Sequence, residues 1–338
     1  MSRKAKWGIL STASIATRRV IPAMQKCEFA EITAISSRSL AKAQRAASGL
    51  SIPKAYGSYE ELLADPEIEV IYNPLPNHLH AEWTLKAARH GKHVLCEKPI
   101  AMNVAETRKL LEGRDESGVK IGEAFMVRTH PQWLRTRELI RSGRIGKLHS
   151  AAGLFSYFNI TPEDVRNAFE FGGGALLDIG CYPIKTTRFI FGEEPLRVIA
   201  CIERDPSFKI DRLTSAILEY PSGQCVFSVS TQMVYYQRMQ FFGTEGRIDV
   251  EIPFNAPTDR PTRIFIDNGK DLYASASAVI ETLPVCNQFT IQGDLFSKAV
   301  LENGEVPNPL EDAYCNMAVI DALFRSAETG KWQAPECL

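Results

Sequence analysis

Short apolar segments alternate with amphipathic segments along the first part of the chain. The apolar segments have the length of buried strands, and the segments between them repeat apolar positions at helical spacing. Strands that alternate with helices indicate βαβ units, whose parallel strands bind ligands beyond their carboxyl ends. The predicted strands are residues 6–10, 31–36, 70–72, 93–96 and 120–124, and the predicted helices are residues 15–25, 40–48, 59–64, 80–90 and 104–117.

The pattern changes after residue 147, where longer segments alternate between apolar and polar positions. Pro221-Ser222-Gly223 and Gly243-Thr244-Glu245-Gly246 supply turns that are typical of hairpins. This part of the chain therefore predicts an antiparallel sheet in a second domain. Its predicted strands are residues 148–157, 196–204, 213–220, 224–233, 239–242 and 263–267, and predicted helices follow at residues 288–301 and 311–328.

Composition narrows the class of protein. The chain has 338 residues and a formal net charge of −1, because 39 Lys and Arg nearly balance 40 Asp and Glu. This balance gives no overall attraction to nucleic acid or anionic lipid, so we expect neither partner. No window approaches the ~20 apolar residues of a membrane span, and the eight cysteines include no Cys-x-x-Cys pair. We expect a cytoplasmic protein with reduced thiols and no metal site.

The first strand-to-helix turn has the position of a dinucleotide fingerprint, although it lacks glycine. Ser11, Ala13 and Ala16 stand where G-x-G-x-x-G would have its glycines. Small side chains still let a pyrophosphate approach the backbone amides at a helix N-terminus. An ordinary tight turn is the other interpretation. The candidate cofactor contacts here are Ser11, Thr12, Ala13, Ser14 and Ile15.

The end of the second predicted strand distinguishes NADP from NAD. A carboxylate there would hold the ribose 2′-hydroxyl of NAD, whereas this chain has Ser36, Ser37 and Arg38. A guanidinium can donate two parallel hydrogen bonds to a 2′-phosphate, and the hydroxyls add further donors. Ser37 and Arg38 therefore favour NADP, with NAD less expected. The alternative is an arginine on a solvated loop.

A proline-rich segment follows the strand at residues 70–72 and reads Asn73-Pro74-Leu75-Pro76-Asn77-His78-Leu79-His80. The prolines restrict the backbone of a loop at the carboxyl edge of the sheet. His78 and His80 have the spacing of metal ligands on a strand, but no third ligand is evident, so helix capping or ribose contact is preferred to zinc. The candidate cofactor contacts are Pro74, Leu75, Asn77 and His80.

Two further motifs carry groups that could transfer a proton. Glu97-Lys98-Pro99 ends a predicted strand, where Lys98 would touch a nicotinamide or a substrate oxygen and Glu97 would adjoin the cofactor. The run Gly172-Gly173-Gly174 permits close approach of backbone to ligand and leads to Asp178 and Tyr182. A phenol is a poor base at neutral pH, but an adjacent ammonium lowers its pKa. A pair of Lys98 and Tyr182 is therefore chemically sensible.

Together these motifs resemble the glucose-fructose oxidoreductase/inositol dehydrogenase family of NAD(P)-dependent oxidoreductases. The resemblance rests on Glu97-Lys98-Pro99, on the glycine run that continues to residue 184 and on the proline-rich segment, and it covers essentially the whole chain. It implies an α/β fold with a dinucleotide-binding Rossmann domain, a doubly wound parallel sheet, over residues 1–125. It also implies a substrate-binding α+β domain over residues 126–338, whose large, open, mostly antiparallel sheet makes a homodimer or homotetramer.

The resemblance also implies roles for individual residues. Lys98 is the catalytic lysine, Tyr182 the proton donor or acceptor, and Asp178 the carboxylate that orients the substrate. Inositol dehydrogenase-like members have His in place of Tyr182. The chain is therefore similar to the branch with glucose-fructose oxidoreductase, dimeric dihydrodiol dehydrogenase and NADP-dependent xylose dehydrogenases. Lys185 departs from the family, which often has Asp or Asn at this position.

The function that the resemblance implies is NADP-dependent oxidation of an aldose at C1 to the lactone. Reduction of a keto-sugar and oxidation of a trans-dihydrodiol are alternatives, so the expected partner is a small sugar or diol. A non-catalytic NAD(P)-binding regulator is an alternative of another class. A short-chain dehydrogenase is not expected, because Tyr182-Pro183-Ile184-Lys185 is one residue short of Tyr-x-x-x-Lys.

The remaining candidates each have two interpretations. Arg166 would reach the cofactor or substrate, or it would form a surface ion pair. Phe158, a candidate substrate contact, belongs to a set that would stack on a sugar ring or would fill the core of a sheet. This set is Phe155, Phe158, Asn159, Tyr235 and Tyr236.

Overall fold

The computed structural model describes residues 3–270 and 277–338, which form two compact units. The first unit contains Met1–Met126 and Asn287–Ala313, and the second contains Val127–Cys286 and Tyr314–Leu338. Within the described ranges, the helices are all too short or too polar to cross a membrane. The helices are α1 (Ile21–Met24), α2 (Leu40–Gly49), α3 (Tyr59–Ala64), α4 (His80–Arg89), α5 (Val104–Ser117), α6 (Pro131–Arg141), α7 (Cys181–Phe191), α8 (Gln288–Leu301) and α9 (Leu310–Thr329).

A six-stranded sheet forms the centre of the first unit. Its strands are β1 (Ala5–Ile9), β2 (Ala30–Ser36), β3 (Lys54–Tyr56), β4 (Val70–Asn73), β5 (His93–Glu97) and β6 (Ile121–Ala124). All neighbouring strands are parallel, in the order β3-β2-β1-β4-β5-β6. The order reverses between β1 and β4, which is the switch point where doubly wound sheets bind ligands. The predicted doubly wound parallel sheet is confirmed, and β3 is added to it.

The chain returns to the first unit after most of the second. Helix α8 packs against β1, β2 and α1, and the indole Nε1 of Trp7 donates a 3.0 Å hydrogen bond to the Ser297 hydroxyl. Both side chains are fully buried. The expected division after residue 125 is therefore corrected, because residues 287–313 complete the core of the first unit. A linear pattern of strands and helices carries no signal for such a return.

An eight-stranded sheet forms the centre of the second unit. Its strands are β7 (Leu148–Phe158), β8 (Arg197–Arg204), β9 (Asp211–Tyr220), β10 (Gly223–Ser230), β11 (Gln232–Gly243), β12 (Arg247–Val250), β13 (Thr262–Asp267) and β14 (Val279–Leu283). Their order is β14-β13-β12-β11-β7-β10-β9-β8, and all neighbours are antiparallel except β7 and β10. The predicted large, mostly antiparallel sheet is confirmed. The short strands β12 and β14 were not predicted.

The two faces of the eight-stranded sheet differ in burial. The inner face packs against α6 and α7 and forms the core of the second unit. One cross-strand row on this face is at most 3 % exposed, as expected for a sheet with one covered side. That row runs through Val198, Leu218, Cys225, Ala151, Phe241, Ile248 and Ile266.

Candidate active site

The first strand-to-helix turn has a glycine-like backbone at Ser11. The φ angle of Ser11 is 69°, in the left-handed region that favours glycine. Its hydroxyl accepts a 3.2 Å hydrogen bond from the Ala13 amide, and the Thr17 hydroxyl donates to the Ala13 carbonyl at 3.2 Å. Ser11, at the first position of the fingerprint, therefore forms the tight turn that glycine usually forms. Its hydroxyl stabilises the turn by accepting from the Ala13 amide.

This turn borders a pocket of ≈ 590 Å³ in the first unit. The pocket lies at the carboxyl ends of β1, β2 and β4, where the switch point of the sheet predicts a ligand. The predicted residues that line it are Ser11, Thr12, Ala13, Ser37, Arg38, Pro74 and Leu75, and Ser39, Lys42, Tyr59 and Pro76 complete the lining. Within the described part of the chain, Ser14, Ile15 and Asn77 are not among the residues that line this pocket.

The charged groups in the described lining of the pocket are two cations, Arg38 and Lys42. Arg38 is exposed, and it lies close enough to the Tyr59 hydroxyl to lower the pKa of that phenol, which burial raises. The Tyr59 ring is fixed edge-on against Trp83, with a centroid separation of 4.8 Å. Because Ser37, Arg38 and Lys42 can all donate hydrogen bonds, this donor set fits a phosphate group.

Lys98 follows β5 in a turn that buried side chains hold. The Tyr72 hydroxyl donates a 2.5 Å hydrogen bond to one oxygen of Glu97, and the Lys98 amide donates to the other at 3.3 Å. Burial raises the pKa of Glu97, although Tyr72 and Lys98 both oppose the shift. The Glu123 carboxylate accepts from the Ile100 amide at 3.1 Å. Glu97 was expected to adjoin the cofactor. In the structure its carboxylate fixes the turn that contains Lys98.

His80 is fully buried. Its Nδ1 lies 2.7 Å from the carbonyl oxygen of Pro99, and its Nε2 lies 2.6 Å from that of Leu75. Burial lowers the pKa of His80 to about 4, although the two carbonyl contacts oppose the shift. The expected ribose contact is corrected, because both ring nitrogens face main-chain oxygens. His80 instead joins the proline-rich loop to the turn of Lys98, whose bond to Pro99 is cis.

The glycine run of the second unit packs against a buried carboxylate. Gly174 has φ of 117°, and a Cβ on it would collide with the Asp211 carboxylate. Asp211 accepts hydrogen bonds from the Leu176 amide at 2.6 Å and from the Thr214 hydroxyl at 3.1 Å. Burial raises its pKa to about 6 against those bonds. This contact fixes the π-helical turn Leu176–Gly180, which leads directly into α7.

Asp178 lies on that helical turn and has two donors. The Tyr157 hydroxyl donates to its Oδ2 at 2.6 Å, and the Arg166 Nε lies 3.4 Å from the same oxygen. Burial and Asp178 raise the pKa of Tyr157, and Asp178 raises that of Arg166. Arg166 also pairs with Asp164 at 3.3 Å. Arg166 therefore forms ion pairs, which is one of its two interpretations. Tyr157 and Arg166 together hold the Asp178 carboxylate in one orientation.

Tyr182 is a buried phenol in the first turn of α7, with 5 % of its surface exposed. Its ring meets Phe155 edge-on at 5.7 Å and Phe254 at 5.2 Å, and those two rings stack on each other at 4.9 Å. Phe254 also stacks on Trp133 at 6.3 Å. This packing fixes the ring of Tyr182. It assigns Phe155 to the core, which is one of its two interpretations.

The other candidates of the second unit differ in burial. Phe158 and Tyr235 are 65 % and 62 % exposed, so they do not fill the sheet core. Asn159 donates to Asp164 at 2.7 Å, and Tyr236 is also exposed. Lys185 is 1 % exposed, on α7 one turn beyond Tyr182. Contact of Phe158 with a substrate stays a prediction.

Several residues of these sites were not predicted. Lys42 lies in the first turn of α2, four residues after Arg38, and a lysine so soon after the predicted phosphate contact could have indicated a second cation. Tyr157 ends a predicted strand, where a polar aromatic side chain would be a signal for binding. Asp211 and Tyr72 have no motif around them, and only the folded chain brings them to Gly174 and Glu97.

The first unit has a doubly wound sheet with a pocket that fits a phosphate group, and the second unit holds a carboxylate and a buried phenol. This combination is typical of two-domain, dinucleotide-dependent oxidoreductases. Residues 5–125 match the model of the oxidoreductase family with an NAD-binding Rossmann fold. Residues 133–249 match that of the GFO/IDH/MocA C-terminal domain. The chain belongs to the GFO/IDH/MocA oxidoreductase family, which confirms the resemblance seen in the sequence.

Individual relatives match between 79 % and 96 % of the chain. D-xylose 1-dehydrogenase (NADP(+)) 2 of Haloferax volcanii is 38 % identical over 96 % of this chain and 98 % of its own. Trans-1,2-dihydrobenzene-1,2-diol dehydrogenase of Xenopus laevis is 36 % identical over 79 % of each chain. The crystal structure of a 3-ketoreductase from Actinomadura kijaniata, in complex with NADP and TDP-benzene, superposes with a TM-score of 0.89 at 29 % identity, over 96 % of this chain and 98 % of that one.

The contact between Gly174 and Asp211 predicts a large effect of Gly174→Ala on stability. A residue with positive φ costs about 1–2 kcal/mol when it gains a Cβ, and the methyl group would in addition displace the Asp211 carboxylate. Gly143 is the matched control in the same unit, because its φ is 77° and a Cβ there meets no atom within 4 Å. Urea unfolding should show Gly174→Ala clearly less stable than Gly143→Ala. Equal stability of the two variants would refute the contact.

Proposed function

We propose that this protein is an NADP-dependent oxidoreductase that oxidises an aldose at C1 to the lactone. The observation that carries the proposal is Tyr182, a phenol whose ring is fixed by Phe155 and Phe254 in the helix that follows Asp178. Its position after the glycine run corresponds to the tyrosine branch of the family. The 38 % identity to a D-xylose dehydrogenase over 96 % of the chain supports an aldose as the substrate.

The cofactor is proposed to bind in the pocket of the first unit. The amides of Ser11, Thr12 and Ala13 would hold the pyrophosphate, because small side chains leave those amides accessible. Arg38 would pair with the 2′-phosphate, with Ser37 and Lys42 nearby. When bound, NADP supplies the acceptor for hydride from the substrate carbon. Pro74 and Leu75 would form the apolar wall.

The protein's own residues are proposed to handle the proton of the substrate hydroxyl. Tyr182 would accept that proton, and Lys98 would lower the pKa of the phenol by favouring its charged form. Asp178, oriented by Tyr157 and Arg166, would hold a neighbouring hydroxyl of the sugar as a hydrogen-bond acceptor.

Reduction of a keto-sugar is the second candidate. The 3-ketoreductase from Actinomadura kijaniata, with its TM-score of 0.89, supports that direction, and the dihydrodiol dehydrogenase relative supports a diol. A panel of aldoses, keto-sugars and trans-dihydrodiols with NADP or NADPH, followed by absorbance, separates these activities. Binding of cofactor without turnover of any member of the panel would favour a non-catalytic regulator.

The eight cysteines, none of them disulfide-bonded, support a cytoplasmic location.

Removing the phenol tests the proton transfer. Tyr182→Phe should lower kcat by about 10²–10⁴-fold, the usual contribution of general acid–base catalysis, while NADP binding is retained. Tyr56→Phe is the control, because it also removes a tyrosine hydroxyl that makes a hydrogen bond, here 2.6 Å to Asp65. Tyr56 has no proposed role in the reaction. Steady-state kinetics and fluorescence titration with NADP measure the two effects. A Tyr182→Phe enzyme with near-normal kcat would remove Tyr182 from the mechanism.

Removing the guanidinium tests the cofactor preference. Arg38→Ala should raise KM for NADP by about 10–100-fold, because a hydrogen bond to a charged group contributes about 1.5–3 kcal/mol. KM for NAD should change little, since NAD lacks the 2′-phosphate. Arg45→Ala, an exposed arginine of α2 outside the pocket lining, should affect neither. Equal changes of KM for both cofactors would contradict a contact with the 2′-phosphate.

The eight-stranded sheet is proposed to make a homodimer or homotetramer through its outer face. The supporting observation is a cross-strand row, one residue beyond the buried row, in which Ile217, Val226 and Ile280 are 36 %, 43 % and 50 % exposed. Ile217 and Val226 are paired on the neighbouring strands β9 and β10, and exposed apolar side chains that lie together are typical of an interaction surface. Ile199 and Phe265 belong to the same row.

A charge in that row should dissociate the oligomer. Ile217→Glu is expected to give monomers in size-exclusion chromatography with light scattering, because a buried carboxylate without a partner is costly. Leu134→Glu is the control, because Leu134 is 51 % exposed on α6 rather than on the sheet. An unchanged mass for Ile217→Glu would exclude this face as the interface.

A further inference from the structure

Two thiols and a carboxylate converge in the second unit, in a group that the proposed reaction does not use. The Sγ atoms of Cys315 and Cys337 and a carboxylate oxygen of Glu194 all lie within 4.8 Å of one another. Cys315 is a buried residue of α9, and Cys337 lies in the segment that follows this helix. Both thiols are free. The two sulfurs are therefore neighbours, and a disulfide would bring them from at most 4.8 Å to about 2.05 Å.

The segment that carries Cys337 is anchored to the second unit. The backbone of Gln333 exchanges two hydrogen bonds, of 2.8 and 2.9 Å, with that of Val198 on β8. The ring of Trp332 lies 4.7 Å from the guanidinium of Arg197, and Arg325 donates to the Ala334 carbonyl at 3.3 Å. These contacts hold the segment beside α9, so the approach of the two thiols is a property of the fold.

A buried arginine sets the electrostatics of the thiol pair. The Arg188 side chain is 3 % exposed and donates two hydrogen bonds, of 2.5 and 2.6 Å, to the Glu194 carboxylate. The Cys337 thiol donates to the Glu194 carboxylate at 3.7 Å. The pKa of Cys315 is lowered, chiefly by the neighbouring Cys337 thiol, and Arg188 adds to the effect. The pKa of Cys337 is raised by the neighbouring Cys315 thiol and by burial. Cys315 is therefore the more acidic thiol of the pair.

A divalent metal ion fits this group less well than a disulfide does. A structural zinc site needs four ligands, whereas this group in the described residues offers three. The Glu194 carboxylate is also engaged through both of its oxygens by Arg188, which would place a positive charge beside the ion. A thiolate beside a protonated thiol is, by contrast, the arrangement that oxidation to a disulfide requires.

We propose that Cys315 and Cys337 form a redox-active thiol pair that a hydroperoxide converts reversibly to a disulfide. With hydrogen peroxide, the Cys315 thiolate attacks one peroxide oxygen, the O–O bond breaks, and Cys315 becomes a sulfenic acid. The departing hydroxide takes up a proton and becomes the first water. The Cys337 sulfur then attacks the sulfenic sulfur, forming the S–S bond and releasing the second water. Two thiols lose two electrons and two protons, and a dithiol reductant returns them.

Peptide mapping of the full chain tests the proposal. Trypsin cleaves after Lys298, Arg325 and Lys331, so the two cysteines fall in peptides 299–325 and 332–338, each with a single cysteine. After hydrogen peroxide and alkylation of the remaining thiols, these peptides should be found joined, and dithiothreitol should separate them. Cys201→Ser is the control, since Cys201 is exposed on β8, and it should leave the joined peptides unchanged.

Single substitutions test the order of the two steps. In Cys337→Ser the reaction should stop at the sulfenic acid of Cys315, which dimedone traps in peptide 299–325. In Cys315→Ser neither joined peptides nor a dimedone adduct of Cys337 should form. Two separately alkylated peptides after peroxide treatment of the unmodified chain would overturn the proposal. So would stoichiometric zinc binding that Cys337→Ser abolishes, because the group would then be a metal site. Neither readout depends on the sugar or the cofactor.

Discussion

The hydrogen bond from the Leu176 amide to the buried Asp211 carboxylate fixes the part of the second unit on which the proposed chemistry depends. Gly174 approaches Asp211 so closely that a side chain has no room there, and the next residues turn directly into α7. The helix can therefore start at only one place. This start determines the positions of Asp178 and Tyr182, and the aromatic packing of Tyr182 then completes a rigid support.

The first unit positions its lysine by the same physical means. Tyr72 and Glu97 hold the main chain before Lys98, and His80 contacts the carbonyl after it. In both units buried polar side chains bond to main-chain groups where a regular element begins or ends, because those groups have no partner within the element. The groups proposed to react are therefore held by neighbours that do not themselves react.

The sequence predicts the regular parts of this architecture well. Alternation of apolar segments indicated the doubly wound sheet, and the residues at strand ends indicated much of the pocket, including Ser11 and Arg38. It could not predict contacts between distant segments, such as Asp211 with Leu176 or the return of α8 to β1. Nor could it predict the parallel pairing of β7 with β10, because the sequences of two strands that are far apart in the chain do not indicate whether they pair parallel or antiparallel. His80 was misassigned as a cofactor contact because a polar residue that follows the loop after a strand can contact the backbone as well as a ligand.

The return of α8 has a consequence for synthesis on the ribosome. Trp7 and the apolar side of β1 are made first, yet the helix that covers them is made only after β14. The nascent chain must carry this apolar surface through the synthesis of most of the second unit. Exposed apolar surface of this kind is prone to aggregation, so the amino-terminal strands are at risk until α8 has been made.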